Sequence, residues 1–496
     1  MDDGSFFGSS NDVLKAWQIV KEFGPELGLI ANVKKCELVS PFSPSSAFQG
    51  FEPQIKRVSE DMDILGAPIG SKDHCESWIH QKLNDKLPSL LEKIAFLEDS
   101  QSSFLILRYC VGFCKMVWYL RTVPPNLISD SCKHFDSLIM QAFENLIGCG
   151  LPSPSLKQSQ LGPKFGGIGL RSSLQHSTAG YISSFFASKS LAETFLHKPI
   201  FNPSIMTSLS CYNSKVSLED RLQTFAEPNS QKLLSSKIDA FNAKELHESS
   251  NIIDKARILS CSSPHASAWI IALPIFQNKF TNLEWVLAMK RWLGIPVFNE
   301  DHLCSACGKM VMDKFGHHAA VCPVSGDRIK RHNAVRDCIY TFCSTAAWGP
   351  VKEKPFLLPG TSEKPADIFL PSFSSGQSCV VDVAGTCPVQ QKYVRQASYE
   401  QCFAANQYAV EIKRASFEER VRLEGHDYLP IIFESFGAFS EDSFVCFNKL
   451  INGIKLRINE PHTVVSKTFF ESLSCVIMRS YSRSVSSRFP EISFQL

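Results

Sequence analysis

Four residues with soft or borderline donor atoms fall close together in this sequence. Cys304 and Cys307 are separated by two residues, His318 follows after ten more, and Cys322 after another three. Three thiolates and an imidazole at loop-closing spacing form the set that tetrahedral zinc requires, and a segment this short draws its folding energy from the metal. Spacing alone leaves His317 open as an alternative to His318. Cysteines in a chain with 18 of them can also fall into such a pattern by accident. A Cys-x2-Cys pair and a His/Cys pair together inside about 20 residues favour zinc.

A second constellation is acidic. Asp367 and Asp382 fall in two short β-like runs, 366–370 and 379–383. Carboxylates that converge from neighbouring strands can hold Mg²⁺, which activates a water and stabilises the charge developing on a scissile phosphate. A helical pattern over 399–424 then puts Phe403, Asn406, Val410, Lys413, Phe417 and Val421 on one face. A lysine in a mostly apolar stripe is costly unless it pairs with an acid or serves chemistry. Glu434 ends a third β-like run, 429–433, and reads either as a second buried carboxylate or as a strand end facing water. Between the two constellations, Asp327 to Asn333 and Arg336 form a locally basic stretch. It suits phosphate contact or, equally, a solvated helix face. Asp2 and Asp3 stand at the start with no preceding strand to hold them.

The elements that would position these groups are legible in outline. Asn11 is placed to cap a helix carrying Val13, Leu14, Trp17, Val20 and Phe23, which Gly24-Pro25 ends. A helical pattern over 73–97 has Pro88 as an expected break or kink. Phe135, Leu138, Ile139, Ala142, Phe143 and Leu146 form an amphipathic stripe closed by Gly148. The run 162–171 is a glycine-rich turn that fits no phosphate loop, since no strand precedes it and its lysine is misplaced. Residues 172–300 show apolar helical patches and no chemistry. After about residue 350 the alternation of β-like and helical runs predicts a separate compact α/β domain.

Composition sets bounds on these readings. At 496 residues the chain allows three or four units of about 100–200 residues each. A content of 44% hydrophobic and 20% charged residues excludes disordered and fibrous classes. The formal charge of +2 announces no nucleic-acid partner, so any basic surface must come from local clustering. Cysteines scattered along a chain that opens without a secretory leader are expected to be reduced thiols, a few of them metal ligands. The longest apolar stretch, Ala268 to Phe276 and interrupted by Pro274, falls short of the about 20 residues of a membrane span, so no membrane segment is expected.

Taken together, several runs resemble the C-terminal part of non-LTR retrotransposon proteins. They are Cys304, Cys307, Gly316-His317-His318-Ala319 and Cys322; Gly326-Asp327-Arg328, Arg331-His332-Asn333 and Arg336-Asp337; then Pro365-Ala366-Asp367 and Val381-Asp382-Val383. In that family a CCHC knuckle precedes a restriction-like nuclease of the PD-(D/E)xK class. The resemblance selects His318 as the ligand and makes Asp367 and Asp382 metal-binding acids. Ala384 stands where many such nucleases have lysine, and Lys413 on the following helix matches the displaced lysine of the retrotransposon group. The beginning is similar to the same polyproteins. Met1-Asp2-Asp3-Gly4 looks like the end of a reverse-transcriptase Tyr-x-Asp-Asp turn, Gly28 to Glu37 like the next palm motif, and Leu65 to Gly70 like the primer-grip turn.

The resemblance implies an α+β multidomain chain. It would consist of a truncated reverse-transcriptase palm (1–70), a helical thumb (71–171), a helical linker region (172–300), a zinc knuckle with its basic segment (301–340) and a restriction-like endonuclease (341–496). The implied activity is Mg²⁺-dependent nicking of DNA by Asp367 and Asp382, with Lys413 stabilising charge or positioning water and Glu434 auxiliary. A structural Zn²⁺, partners in target DNA and element RNA, and an intracellular, nuclear location follow from it. Reverse transcription by this chain alone is not expected, because a further palm aspartate and the fingers have no place before Met1. The alternative is a nucleic-acid-binding remnant that has lost catalysis.

Overall fold

In the computed structural model, residues 4–40, 48–58, 61–223, 230–374 and 376–489 are described. Asp2 and Asp3 lie outside them.

The Ser9 hydroxyl accepts a hydrogen bond from the Asp12 amide and starts the helix Ser10–Phe23, which Gly24 ends. Two small sheets follow. Strand β1 (Glu37–Val39) pairs in parallel with β2 (Lys56–Val58), and β3 (Met62–Ile64) pairs antiparallel with β4 (Ala67–Ile69). The second pair turns on Leu65 and Gly66, both at positive φ, as a two-residue hairpin turn demands.

The helix Lys72–Ala95 runs through Pro88 without the expected break. Buried Ile79, Leu83 and Leu87 on one side of the proline and Ile94 on the other hold it against the core. The helix Ser129–Ile147 buries Phe135, Ile139, Phe143 and Ile147, and Gly148 closes it at φ 70°. Residues 100–122 are long and apolar enough to cross a membrane by length and composition. Polar residues such as Arg108 and Lys115 interrupt it, so it does not stand out in the sequence as an apolar run. It bends at Gly112, and its Phe104, Leu107, Met116 and Leu120 lie in the core.

The fold is α+β. One buried apolar cluster contains Ile79, Phe104, Phe135, Trp269, Trp285, Trp292, Ile339, Val381, Ile431, Phe469 and Tyr481, so its members come from both ends of the chain. Its main organiser is the long last helix His462–Ser486, which packs on helices Ala268–Ile271, Asn282–Trp292, Asp327–Thr345 and Glu441–Ile458. Within 172–300, helices Ser173–Leu196, Pro203–Asn213 and Gln231–Ser249 enclose a smaller cluster around Ile182, Tyr212 and Leu234.

Strands β5 (His302–Leu303) and β6 (Val311–Met312) form a short hairpin. The remaining strands among the described residues are β7 (Val351–Lys352), β8 (Ile368–Ser374), β9 (Gln377–Thr386) and β10 (Asp427–Glu434), and they make a mixed sheet in the order β10-β9-β8-β7. Strands β7, β8 and β9 are antiparallel neighbours, whereas β9 and β10 are parallel. A parallel pair needs a crossover. Helices Phe403–Tyr408 and Ala415–Leu423, joined by a π-helical turn Ala409–Arg414, supply it.

Candidate metal cluster and acidic centre

The hairpin β5–β6 carries the first two cysteines. Cys304 donates its amide to the Met310 carbonyl at 2.9 Å, and its own carbonyl accepts from the Gly308 amide at 2.8 Å. Gly308 sits at φ 58°, the left-handed conformation that this tight reversal requires. Gly316, also left-handed, leads into the single turn His317–Val321, and Cys322 follows it. The donor atoms of Cys304, Cys307, His318 and Cys322 then lie within 4.8 Å of one another, with Cys307 Sγ 3.4 Å from His318 Nε2. Zinc bonds of about 2.0–2.3 Å give a tetrahedron with edges of about 3.8 Å, so this group can hold a metal ion such as zinc.

The competition between the adjacent histidines is resolved by Asp313. Its Oδ1 is 3.1 Å from His317 Nδ1, which draws that ring away from the cysteines. The same carboxylate accepts the amides of Phe315, His317 and His318, so it fixes the turn that presents His318. Burial pushes the Asp313 carboxyl up, but the hydrogen bond and charge of His317, with the amides, outweigh it and hold the group at about 2. Amides of Lys309 and Met310, with His318, bring the Cys307 thiol down to about 6, which favours the thiolate a metal needs. Cys304 and Cys322 are buried with Phe298, Met312 and Val485, so the cluster is wedged against the last helix.

The basic stretch becomes the helix Asp327–Thr345. Arg331 is buried, donates to the Ala320 carbonyl at 2.7 Å and stacks on Tyr481. Arg336 is buried and donates to Asp337 at 3.0 Å and Glu353 at 2.6 Å. These two arginines hold the fold together, while Arg328 and Lys330 face outward. Asp327 is itself buried and takes Arg488 at 2.6 Å.

Asp367, the residue just before β8, and Asp382 on β9 are brought together by the pairing of these strands. The pair Ile368–Val381 fixes the register between β8 and β9, which sets Asp367 opposite Asp382 one step further along. Asp367 Oδ2 accepts the Val383 amide at 2.7 Å, and its Oδ1 lies 2.9 Å from His332 Nε2. Lys413 donates to Asp382 Oδ1 at 2.7 Å, and the Tyr428 hydroxyl donates to Asp382 Oδ2 at 2.7 Å. The two carboxyls are pushed apart in acidity. Burial, reinforced by the charge of Asp367, raises Asp382 to about 6 against the opposing pull of Lys413. Asp367 is raised by burial but brought below its ordinary value by His332.

Lys413 arrives through a change of helical phase. The ordinary 3.6-residue repeat puts Val410 on its face, yet Val410 is 58% exposed. The π-helical turn adds a residue to the helical circuit, so Val410 turns outward and Lys413 turns toward Asp382. Such turns recur at functional sites.

Glu434 goes elsewhere. On β10 it pairs in register with Thr386, four residues along from the Pro430–Asp382 pair, which is about 13 Å at the rise of a strand. It is fully buried, so the reading of a strand end facing water does not hold. Its Oε1 accepts the Ala405 amide at 3.1 Å, at the start of the helix Phe403–Tyr408. Burial pushes its carboxyl up, while Ser260 and amides of that helix pull it down. Glu434 therefore anchors the crossover helix and takes no part in the acidic centre.

No protein-family model matches the chain, and no curated protein matches it. The geometry therefore carries the functional reading. Two members of the centre, His332 and Tyr428, escaped the sequence reading. His332 was named in the basic run and in the resemblance without a role, and Tyr428, one residue before the β-like run 429–433, was not singled out. Neither has a local spacing that announces its partner, because each reaches its aspartate from a distant element.

Proposed function

We propose that this chain is a divalent-metal-dependent DNA endonuclease of the restriction-like class, derived from a non-LTR retrotransposon. The observation that carries the reading is the juxtaposition of Asp367 and Asp382 across β8 and β9, with Lys413 on Asp382. Two carboxylates, one just before β8 and one on β9, fit the hard oxygen set that Mg²⁺ takes, since that ion is held by one or two carboxylates together with substrate phosphate and water. When bound, it activates a water and neutralises charge on the scissile phosphate. Lys413 then stabilises the developing negative charge or orients the water, and Tyr428 holds Asp382 in place. The Cys304, Cys307, His318 and Cys322 cluster carries structural zinc, and outward Arg328 and Lys330 meet nucleic-acid phosphates. A retrotransposon origin extends the partners to element RNA and the location to the nucleus.

One observation favours a second reading, a nucleic-acid-binding chain without cleavage. All four oxygens of Asp367 and Asp382 already accept hydrogen bonds from His332, Val383, Lys413 and Tyr428. A carboxylate oxygen has a second lone pair, so these bonds and a cation are compatible. Nicking of supercoiled plasmid with Mg²⁺ separates the two. The first reading expects cleavage by the chain and none by Asp382→Ala; equal cleavage by both would remove it, and salt-sensitive binding without cleavage would favour the second.

A further inference from the structure

His332 enters the acidic centre from outside the sheet. It sits on the helix Asp327–Thr345, which begins just beyond the metal cluster, and its Nε2 meets Asp367 Oδ1 at 2.9 Å. The helix is clamped on either side of it. Arg331 is fixed to Ala320 and Tyr481, and Arg336 to Asp337 and Glu353. The ring is thus delivered by the fold rather than by side-chain freedom. The other oxygen of Asp367 is held by the Val383 amide at 2.7 Å. With one donor on each oxygen, the carboxylate has a single orientation, and each oxygen keeps a second lone pair.

We propose that His332 is a positioning residue of the acidic centre, holding Asp367 in the orientation that takes a divalent cation. The proposal rests on Asp367 and Asp382 being a cation site. Groups that hydrogen-bond to metal ligands orient them, and losing one typically costs 10–100-fold in metal affinity or activity. The competing role is a tie that merely pins helix to sheet. Losing such a tie would lower stability and leave the cation affinity of the folded chain unchanged.

The test uses the full zinc-loaded chain with Mn²⁺ as the probe, following free Mn²⁺ by electron paramagnetic resonance, alongside Mg²⁺-dependent plasmid nicking. His332→Ala is expected to weaken Mn²⁺ binding about tenfold or more, with a parallel rise in the Mg²⁺ needed for half-maximal nicking. His332→Gln, whose amide nitrogen reaches the same carboxylate oxygen, is expected to restore most of both. Wild-type Mn²⁺ affinity in His332→Ala would overturn the proposal. So would a folded His332→Gln as weak as His332→Ala, because the hydrogen bond would then not be what matters. Asp382→Ala binding Mn²⁺ as tightly as the wild type would instead bring down the cation site itself, which the histidine variants leave standing.

Discussion

Lys413 and Asp382 are joined at 2.7 Å across the parallel pair of strands and their crossover helix, 31 residues apart in the chain. An acid beside the amine offsets the cost of its partial burial, and the proposed nuclease reading makes this amine the group that stabilises charge on the cleaved phosphate. Lys413→Ala is therefore expected to lower the nicking rate by about 10²–10³-fold, the usual effect of removing one preorganised donor. Plasmid nicking at saturating Mg²⁺ measures it, and an unchanged rate would exclude Lys413 from the chemistry.

The metal cluster is expected to bind one ion per chain. Cobalt substitution should give the intense thiolate-to-metal absorption of a site with three sulfur ligands. Less than about 0.1 equivalent of bound metal would count against the site. Chelation should loosen residues 304–340, seen as faster amide exchange there.

The two histidines should part company in that assay. His318→Ala removes a donor and is expected to abolish stoichiometric binding. His317→Ala leaves all four donors and removes a partner of Asp313 together with ring contacts to Phe315 and Phe436, so binding should persist. The reverse result would exchange their roles.

Glu434→Gln should keep nicking intact and change the pH dependence of stability. Burial raises the Glu434 carboxyl above 4.5, so the folded chain retains a proton that the unfolded chain has released. Stability from this group is therefore present at low pH and falls as pH rises from about 4.5 through the folded value. The variant lacks that fall, so its melting temperature should gain on the wild type as pH rises. A constant difference across the range would contradict this.

Arg328→Ala and Lys330→Ala should each reduce the slope of log affinity for DNA against log salt by about 0.9, one phosphate contact apiece. Arg331→Ala should instead lower the melting temperature, because its guanidinium is spent on Ala320 and Tyr481. Equal slopes for the wild type and the Arg328→Ala, Lys330→Ala pair would remove this helix from the nucleic-acid interface.

What the sequence disclosed follows the range of each interaction. The cysteines were legible because a metal site closes over a few residues, although spacing left His317 and His318 open and only the resemblance chose between them; the helix ending at Gly148 was legible because its cap is local. The runs holding Asp367 and Asp382 were visible as β-like, although their register was not. His332 and Tyr428 were hidden, since their partners come from elements that only the folded chain brings near. The phase change at the π-helical turn was hidden for another reason. A regular repeat assumes an unbroken helix, so it aligned Val410 with Lys413. The separate domain after about residue 350 was drawn from a change in local texture, and the five consecutive units came from the resemblance. Local texture carries no record that Trp269 and Trp292 are buried in the same cluster as Tyr481.

That last helix, His462–Ser486, has a consequence for how the chain acquires its shape. The Trp269 amide donates to the Ser474 hydroxyl, 205 residues later, and Arg483 closes on Glu284 from 199 residues away. Closing loops of that length before any contact rewards them is slow. During synthesis, the tryptophans of residues 269–292 leave the ribosome well before the surface that covers them exists. Nascent chains halted before residue 462 should therefore present those indoles to chaperones and proteases, and protection should appear abruptly once the final turns are made.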